Sequence, residues 1–83
     1  MVPWDIENVK IEVSKHFAIK YLKPWGWDFH DLRDALREAY NVEKVGKGKY
    51  EVYLQKNGFK KVILVYAEER LVCITGSIGG KRQ

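Results

Sequence analysis

Basic and aromatic side chains are interleaved in the second half of the chain, a combination suited to binding an unpaired strand of RNA. Cations hold phosphates, and aromatic rings stack on exposed bases. The basic side chains of this half that fit the role are Lys47, Lys49, Lys60, Lys61, Arg70, Lys81 and Arg82. The aromatic side chains interleaved with them are Tyr50, Tyr53, Phe59 and Tyr66. The pattern predicts a nucleic-acid-binding surface, with a well-solvated face as the structural alternative.

The charge of the chain is divided unequally between its two halves. Residues 1–43 contain six basic and eight acidic side chains, whereas residues 44–83 contain nine basic and three acidic ones. The net charge of +4 therefore comes from the second half. A one-sided basic excess favours a polyanionic partner such as nucleic acid.

Other kinds of chemistry find little support in the residue pattern. The run Gly46-Lys47-Gly48-Lys49 lacks the spacing of a phosphate-binding loop. Cys73 is the single cysteine, which excludes an intramolecular disulfide and favours a reducing cytoplasm. His16 and His30 are isolated from other metal ligands in the sequence. We therefore expect no metal ion and no cofactor.

Neither a membrane span nor a secretion signal is predicted. No apolar run approaches the ~20 residues that cross a bilayer. The first residues lack the basic start and the apolar stretch of a signal peptide. Hydrophobic residues make up 46% of the 83-residue chain, which is enough for one core. Abundant Lys and Glu with little Cys and Met favour a thermophilic source.

Hydrophobic spacing predicts one strand and two helices in the first half. Apolar and charged residues alternate over residues 9–13, as in a short strand. A helix is expected over residues 15–23, ending at Pro24. Asp28 then caps a second helix, whose apolar residues recur at helical spacing over residues 29–40.

The second half reads as consecutive strands joined by tight turns. Strands are expected over residues 50–55, 59–66 and 70–75, and Asn57-Gly58 is a strong signal for a two-residue hairpin turn. A basic tail follows from Gly76. The whole chain is therefore predicted to be one α+β domain, with two N-terminal helices packed on one face of a small antiparallel sheet.

The hairpin turn also predicts which side chains share a face of the sheet. With Asn57-Gly58 as the turn, Lys49 lies opposite Tyr66 and Val52 lies opposite Ile63. A second two-residue turn at Glu68-Glu69 would extend these faces into the last strand, with Val72 beside Val65. The face carrying Val52, Ile63, Val65, Val72 and Ile74 is then apolar and should be covered by the helices. The face carrying Lys49, Tyr53, Leu64 and Tyr66 is mixed and should stay open to a partner.

Short motifs spread over nearly the whole chain support a family resemblance. In order, they are Ser14-Lys15-His16-Phe17-Ala18, Leu32-Arg33-Asp34-Ala35-Leu36, Gly46-Lys47-Gly48-Lys49-Tyr50, Val62-Ile63-Leu64-Val65-Tyr66 and Ile74-Thr75. This order resembles small domains grouped with the RelE and BrnT toxins of toxin–antitoxin pairs. In the resemblance, His16 matches a family histidine early in the first helix, and Lys20 takes the basic position one turn later.

The resemblance implies a RelE-like fold and a metal-independent mRNA endoribonuclease with a small antitoxin protein as partner. Such an enzyme directs a ribose 2′-hydroxyl at the adjacent phosphate, which requires a base, an acid and a cation. We expect the catalytic residues to be Lys49, Tyr53, Tyr66 and His16. The residues expected to bind the RNA backbone are Lys47, Lys60, Arg70, Lys81 and Arg82. The alternatives are a non-catalytic module that binds RNA or protein, and a homodimer formed through the open face.

Overall fold

The sheet at the centre of the fold has five strands. The computed structural model describes residues 3–56 and 58–78. The strands are β1 (Lys10–Val13), β2 (Asn41–Gly46), β3 (Lys49–Leu54), β4 (Lys60–Ala67) and β5 (Arg70–Ile78). Their order across the sheet is β1-β5-β4-β3-β2.

The sheet is mixed, and the predicted antiparallel sheet is wrong in this respect. β1 runs parallel to β5, whereas the three other strand pairs are antiparallel. The two helices carry the chain from β1 to the far edge of the sheet, and three hairpins then bring β5 back beside β1. β2 was not predicted, because its sequence is largely polar and it begins directly after Tyr40, to which the second helix had been expected to extend. The coarser prediction of an α+β fold with two helices is confirmed.

The first helix, α1, changes its winding along its length. It consists of an α-helical turn (Lys15–Phe17), a π-helical segment (Ala18–Leu22) and a further α-helical turn (Lys23–Trp25). Pro24 lies inside the last turn instead of ending the helix. A proline has no N–H to donate and its ring crowds the carbonyl one turn earlier, so a wider π turn accommodates it. Gly26 then ends α1 with a left-handed φ of 71°.

The second helix, α2 (Phe29–Arg37), begins as predicted at Asp28. The Asp28 carboxylate accepts a hydrogen bond from the Asp31 backbone, and the Asp31 carboxylate accepts one from the Asp28 backbone, which forms a capping box. Its buried residues are Leu32, Ala35 and Leu36. The helix ends three residues earlier than predicted, and the side chains of Phe29 and Tyr40 are exposed.

The register between β3 and β4 differs by one residue from the prediction. Val52 lies opposite Val62, and Lys49 lies opposite Val65. The connection between the two strands has five residues, 55–59, rather than two, so the pairing is shifted by one position. Asn57 itself lies outside the described residues. Because side chains alternate along a strand, this shift moves every residue of β4 to the other face.

The turn between β4 and β5 is the predicted pair Glu68-Glu69. Both residues have positive φ angles, 53° and 61°, which gives a two-residue turn whose twist matches the hairpin. Val65 lies beside Val72, as expected. A bulge at Ile74 then shifts the pairing, so that Ile63 lies opposite Thr75.

The hydrophobic core lies between the helices and the face of the sheet that carries Val52. Because the register is shifted, β4 contributes Val62 and Leu64 to this core, and β5 contributes Leu71 and Cys73. With the predicted register, all four would lie on the open face. The largest fully buried side chains are Phe17, Leu32, Leu54, Leu64, Leu71, Val52, Val62 and Cys73. Within the described part of the chain, neither helix has the length and apolar character to cross a membrane.

Candidate functional site

The residues predicted to form the catalytic site are not brought together. Lys49 is exposed on the open face, opposite Val65. Tyr66 lies on the helix-covered face, where its ring packs 5.7 Å from the ring of Trp4. The expectation that Lys49 and Tyr66 are cross-strand neighbours on one face is therefore wrong, and the shifted register of β4 is the reason.

Tyr53 lies on the open face as predicted, but it is not accessible there. Only 4% of its surface is exposed. Its hydroxyl donates a hydrogen bond of 2.8 Å to the Glu51 carboxylate, and the ring of Tyr40 lies 6.3 Å away. The phenol is therefore a packed side chain with a hydrogen-bonded end.

His16 is the one predicted catalytic residue that lies in an accessible cluster of reactive groups. Its Nε2 atom is 3.3 Å from Oγ1 of Thr75, and this oxygen is 3.5 Å from the hydroxyl of Tyr21. The imidazole and phenol rings meet edge to face with their centroids 5.7 Å apart. His16 is exposed, whereas Tyr21 and Thr75 are half-buried. We call these three residues the His16 cluster.

The winding of α1 explains how His16 and Tyr21 come together. The two residues are five positions apart, so an α-helix of 3.6 residues per turn would turn their side chains away from each other. The π-helical segment Ala18–Leu22 widens the turn and aligns positions five apart. Such segments are frequent at functional sites.

The start of α1 is fixed to the bulge of β5, which supplies Thr75. The Ser14 hydroxyl accepts a hydrogen bond from the Phe17 backbone and donates one of 2.9 Å to the Ile74 carbonyl. The Ser14 backbone N–H also donates to the Cys73 carbonyl at 2.9 Å. These bonds hold the first turn of the helix, and His16 with it, against the strand.

An aromatic stack supports the cluster from the side of the core. The ring of Trp25 lies 5.6 Å from that of Tyr21 and 5.0 Å from that of Trp27. The Trp25 ring packs over Gly76 of β5, 3.5 Å from where a Cβ atom would lie, and such an atom would clash with the Lys61 carbonyl of β4 at 2.6 Å. The position of Tyr21 is thus set by packing.

Lys60 belongs to this stack and is not the surface cation that the sequence suggested. It is 6% exposed, and its Nζ atom lies 5.4 Å from the ring centroid of Trp25 and 5.5 Å from that of Trp27. The ammonium group donates a hydrogen bond of 3.0 Å to the Lys56 carbonyl. Burial lowers the pKa of Lys60. Its described contacts are those of a packing residue.

The other residues predicted to bind RNA are dispersed. Lys47 is exposed in the turn between β2 and β3. Arg70 forms ion pairs with Glu12 at 3.3 Å and with Glu68 at 3.4 Å. Lys81 and Arg82 lie outside the described residues. The predicted basic surface across the open face is therefore interrupted by carboxylates.

Exposed cations do occur beside the His16 cluster, on α1 itself. Lys15, Lys20 and Lys23 are all exposed. Lys20 follows His16 by four positions, which keeps both side chains on the same side of the helix. An anion held by Lys20 would thus lie next to the imidazole.

The sequence pattern did not single out Tyr21 and Thr75 as functional residues. Tyr21 falls within the regular helix expected over residues 15–23, and Thr75 falls at the end of the strand expected over residues 70–75. Neither a five-residue spacing nor a contact 59 positions away from His16 is visible in local periodicity. The usable signal was a histidine early in the first predicted helix, His16.

Two further features bear on chemistry. Among residues 3–56 and 58–78, no group of three His, Cys, Asp or Glu side chains could hold a metal ion. A cleft of about 280 Å³ lies at the Glu68-Glu69 end of the sheet, away from the His16 cluster, and is lined by Pro3, Asp5, Asn8, Val9, Tyr66 and Glu69.

Comparison of the chain with protein-family models, with curated proteins and with solved structures gave no match. Functional inference therefore depends on the residues and their geometry.

Proposed function

We propose that this protein binds single-stranded RNA and cleaves it without a metal ion, through the His16 cluster. The observation that carries the proposal is a chain of contacts from an exposed imidazole to a phenol. His16 Nε2 lies 3.3 Å from the Thr75 hydroxyl, and this hydroxyl lies 3.5 Å from that of Tyr21. An imidazole can take up and release protons near neutral pH, and a phenol can donate one. This combination fits acid–base catalysis of phosphodiester cleavage.

In the proposed reaction, the ribose 2′-hydroxyl loses its proton to His16 and its oxygen attacks the adjacent phosphorus. A new bond forms between that oxygen and phosphorus while the bond to the 5′ oxygen breaks. Tyr21 donates a proton to the departing oxygen, and His16 later returns its proton through solvent to the phenolate. Lys20 stabilises the negative charge of the phosphorane. The products are a cyclic 2′,3′-phosphate and a 5′-hydroxyl.

Two sequence features support this function. The chain has a net charge of +4 and a pI of about 9.2, which favours association with a polyanion. The resemblance to RelE and BrnT toxins also implies RNA cleavage without a metal, with a small antitoxin as partner. The proposal retains His16 from the sequence prediction and replaces Lys49, Tyr53 and Tyr66 with Tyr21, Thr75 and Lys20.

The decisive experiment is cleavage of a labelled single-stranded RNA in excess chelator. The wild type should produce fragments with cyclic phosphate ends. His16→Gln should slow cleavage roughly 10²- to 10⁴-fold. The matched control is His30→Gln, because His30 is also an exposed helical histidine, paired 3.5 Å from Asp34 on the other helix. Equal losses in both variants would contradict the assignment of the site.

RNA binding is measured separately, because binding without cleavage defines a different function. If the wild type binds RNA but never cleaves it, the protein is a binding module and the catalytic proposal is wrong. Binding through α1 should weaken in Lys15→Glu/Lys20→Glu more than in Lys44→Glu/Lys47→Glu. The affinity should fall with salt by a slope of about 0.7 per neutralised phosphate.

A further inference from the structure

The face of the sheet opposite the helices carries an aliphatic strip with no layer packed on it. Ile63 and Val65 of β4 lie beside Val72 and Ile74 of β5, with Val65 directly opposite Val72. In the described structure both helices pack on the other face, through residues such as Phe17 and Leu32. We call Ile63, Val65, Val72 and Ile74 the aliphatic strip.

The composition of β4 is typical of a strand that is covered on both faces. The five residues from Val62 to Tyr66 are all apolar or aromatic, whereas a strand with one solvated face alternates apolar and polar residues. Val62 and Leu64 point to the core and are fully buried. Ile63 and Val65 point the other way and are half-buried by their neighbours alone. The strand thus carries the residues of a two-sided core with one side covered.

The charges around the strip indicate what covers it. Among the described residues, the strands place both signs on this face, and the basic side chains are Lys10, Lys49, Lys61 and Arg70. The acidic ones are Glu12, Glu43 and Glu51, with Glu68 in the adjoining turn. A nucleic acid would meet carboxylates here. A balanced rim of both signs is instead complementary to a second copy of itself.

We propose that two copies of the chain associate through this face, with their aliphatic strips packed against each other about a two-fold axis. The two sheets would lie about 10 Å apart, as in a sandwich, with the helices outside. Five strands about 4.8 Å apart and on average about six residues long, at about 3.3 Å per residue, give a face of about 24 by 20 Å. This is roughly 500 Å² per copy, or roughly 1,000 Å² in total. This area is at the lower limit for a specific interface, so the dimer dissociates on dilution.

The dimer can be tested without changing the proposed site of RNA cleavage. The strip adjoins the His16 cluster at the bulge of β5, where Ile63 lies opposite Thr75, but Val65 lies opposite Val72, on the other side of the bulge. A substitution of Val65 that prevents association should therefore retain the activity of the wild type. Loss of the dimer and loss of cleavage can be measured separately.

The test is sedimentation equilibrium over a concentration range from ~5 to ~500 μM, which brackets a weak dimer. The wild type should pass from monomer to dimer across this range. Val65→Lys should stay monomeric throughout. The matched control is Ile19→Lys, which removes an aliphatic side chain of α1 that is 52% exposed, and it should dimerise like the wild type.

A milder substitution tests the interface if Val65→Lys fails to fold. Val65→Thr keeps the β-branched shape and replaces one methyl group with a hydroxyl. It should raise the dissociation constant at least roughly tenfold, since a polar group is buried without a partner. A wild type that is monomeric at every concentration would overturn the proposal. A dimer that Ile19→Lys dissociates and Val65→Lys does not would also overturn it. So would a monomer whose strip is protected from hydrogen exchange only when RNA is added.

Discussion

The ammonium group of Lys60 lies 5.4 Å from the centre of the Trp25 ring, beneath the aromatic stack that supports Tyr21. A cation in this position is attracted to the ring, with a contribution of about 0.5–2 kcal/mol. The buried stem of Lys60 adds the burial of several methylene groups, each about 0.8 kcal/mol when fully buried. The two contributions predict a structural cost when the side chain is removed.

We expect Lys60→Ala to lower the free energy of unfolding by about 1–3 kcal/mol in urea titrations followed by tryptophan fluorescence. Lys61→Ala is the matched control, because Lys61 is the next residue of the same strand and faces away from the core. Its effect should stay below about 1 kcal/mol. Equal effects would show that Lys60 is a surface residue, as the sequence alone suggested.

The observed register makes a second stability prediction. Leu64 is fully buried in the core, whereas Val65 lies in the aliphatic strip of the open face. Leu64→Ala should cost about 2–5 kcal/mol because it leaves a cavity. Val65→Ala should cost below about 1 kcal/mol at protein concentrations where the chain is monomeric. With the register that the Asn57-Gly58 turn predicts, the order of the two effects would be reversed.

The same register shows how far sequence reasoning reached and where it failed. Periodicity located β3, β4 and β5, and the Glu68-Glu69 turn was placed correctly. The faces of β4 could not be derived, because Val62, Ile63, Leu64 and Val65 are all apolar and fit either side of the sheet. The decision then depended on the length of one connection, which has five residues and not two. The resulting one-residue shift of the register exchanged the faces of β4.

The candidate site was predictable only in part, for a related reason. His16 was recognisable from its residue type and its place in the first helical turn. Its partners were not, since Tyr21 reaches it through a π-helical turn and Thr75 through a bulge in a strand that follows far along the chain. Both are departures from regular periodicity, and regular periodicity is what a sequence pattern reports.

Cys73 provides a prediction for the pH dependence of stability. Burial raises the pKa of its thiol from 9.0 to about 12. The unfolded thiol therefore loses its proton at lower pH than the folded one, and between these two values deprotonation stabilises the unfolded state. Between pH 9 and pH 12, this group should lower the free energy of unfolding by up to about 1.4 kcal/mol for each pH unit.

The comparison that isolates this effect is wild type against Cys73→Ala, because all other titrating groups are shared. Cys73→Ala should be less stable than wild type at pH 7 by about 1 kcal/mol, from the lost packing. Between pH 7 and pH 10 the difference should change by about 1.4 kcal/mol, so that Cys73→Ala becomes the more stable of the two. A difference that stays constant up to pH 11 would mean that the thiol is accessible, as would rapid reaction of native Cys73 with a disulfide reagent.

A hydroxyl deletion distinguishes the proposed catalytic phenol from the one that the sequence favoured. Tyr21→Phe keeps the ring in its contact with Trp25 and removes only the group near Thr75. RNA cleavage should fall roughly 10²- to 10⁴-fold with little change in RNA affinity. Tyr53→Phe removes a hydroxyl that is bonded to Glu51, and it should leave cleavage unchanged while costing about 0.5–1.5 kcal/mol of stability. The opposite result would place the chemistry on the open face.

The turn between β4 and β5 offers a stabilising substitution. Glu68 and Glu69 both adopt left-handed backbone conformations, with φ angles of 53° and 61°. This conformation costs a residue with a Cβ atom about 1–2 kcal/mol, whereas Asn tolerates it and Gly adopts it freely. Glu68→Asn combined with Glu69→Gly introduces the pair that two-residue turns of this type prefer. The relief of strain exceeds the entropy that the new glycine adds to the unfolded chain, about 0.5–1 kcal/mol. It also exceeds the loss of the exposed pair between Arg70 and Glu68, worth about 0–1 kcal/mol. We therefore expect a net gain of about 0.5–1.5 kcal/mol in urea unfolding.

The matched control is Gly48→Ala in the turn between β2 and β3, where φ is 67° and a Cβ atom would lie 3.0 Å from the Tyr66 carbonyl. That change should destabilise the fold by at least about 1 kcal/mol, because it introduces the strain that the first variant removes. If the double variant is less stable than wild type, the two glutamates stabilise the turn through their side chains, and the backbone strain is not the dominant contribution.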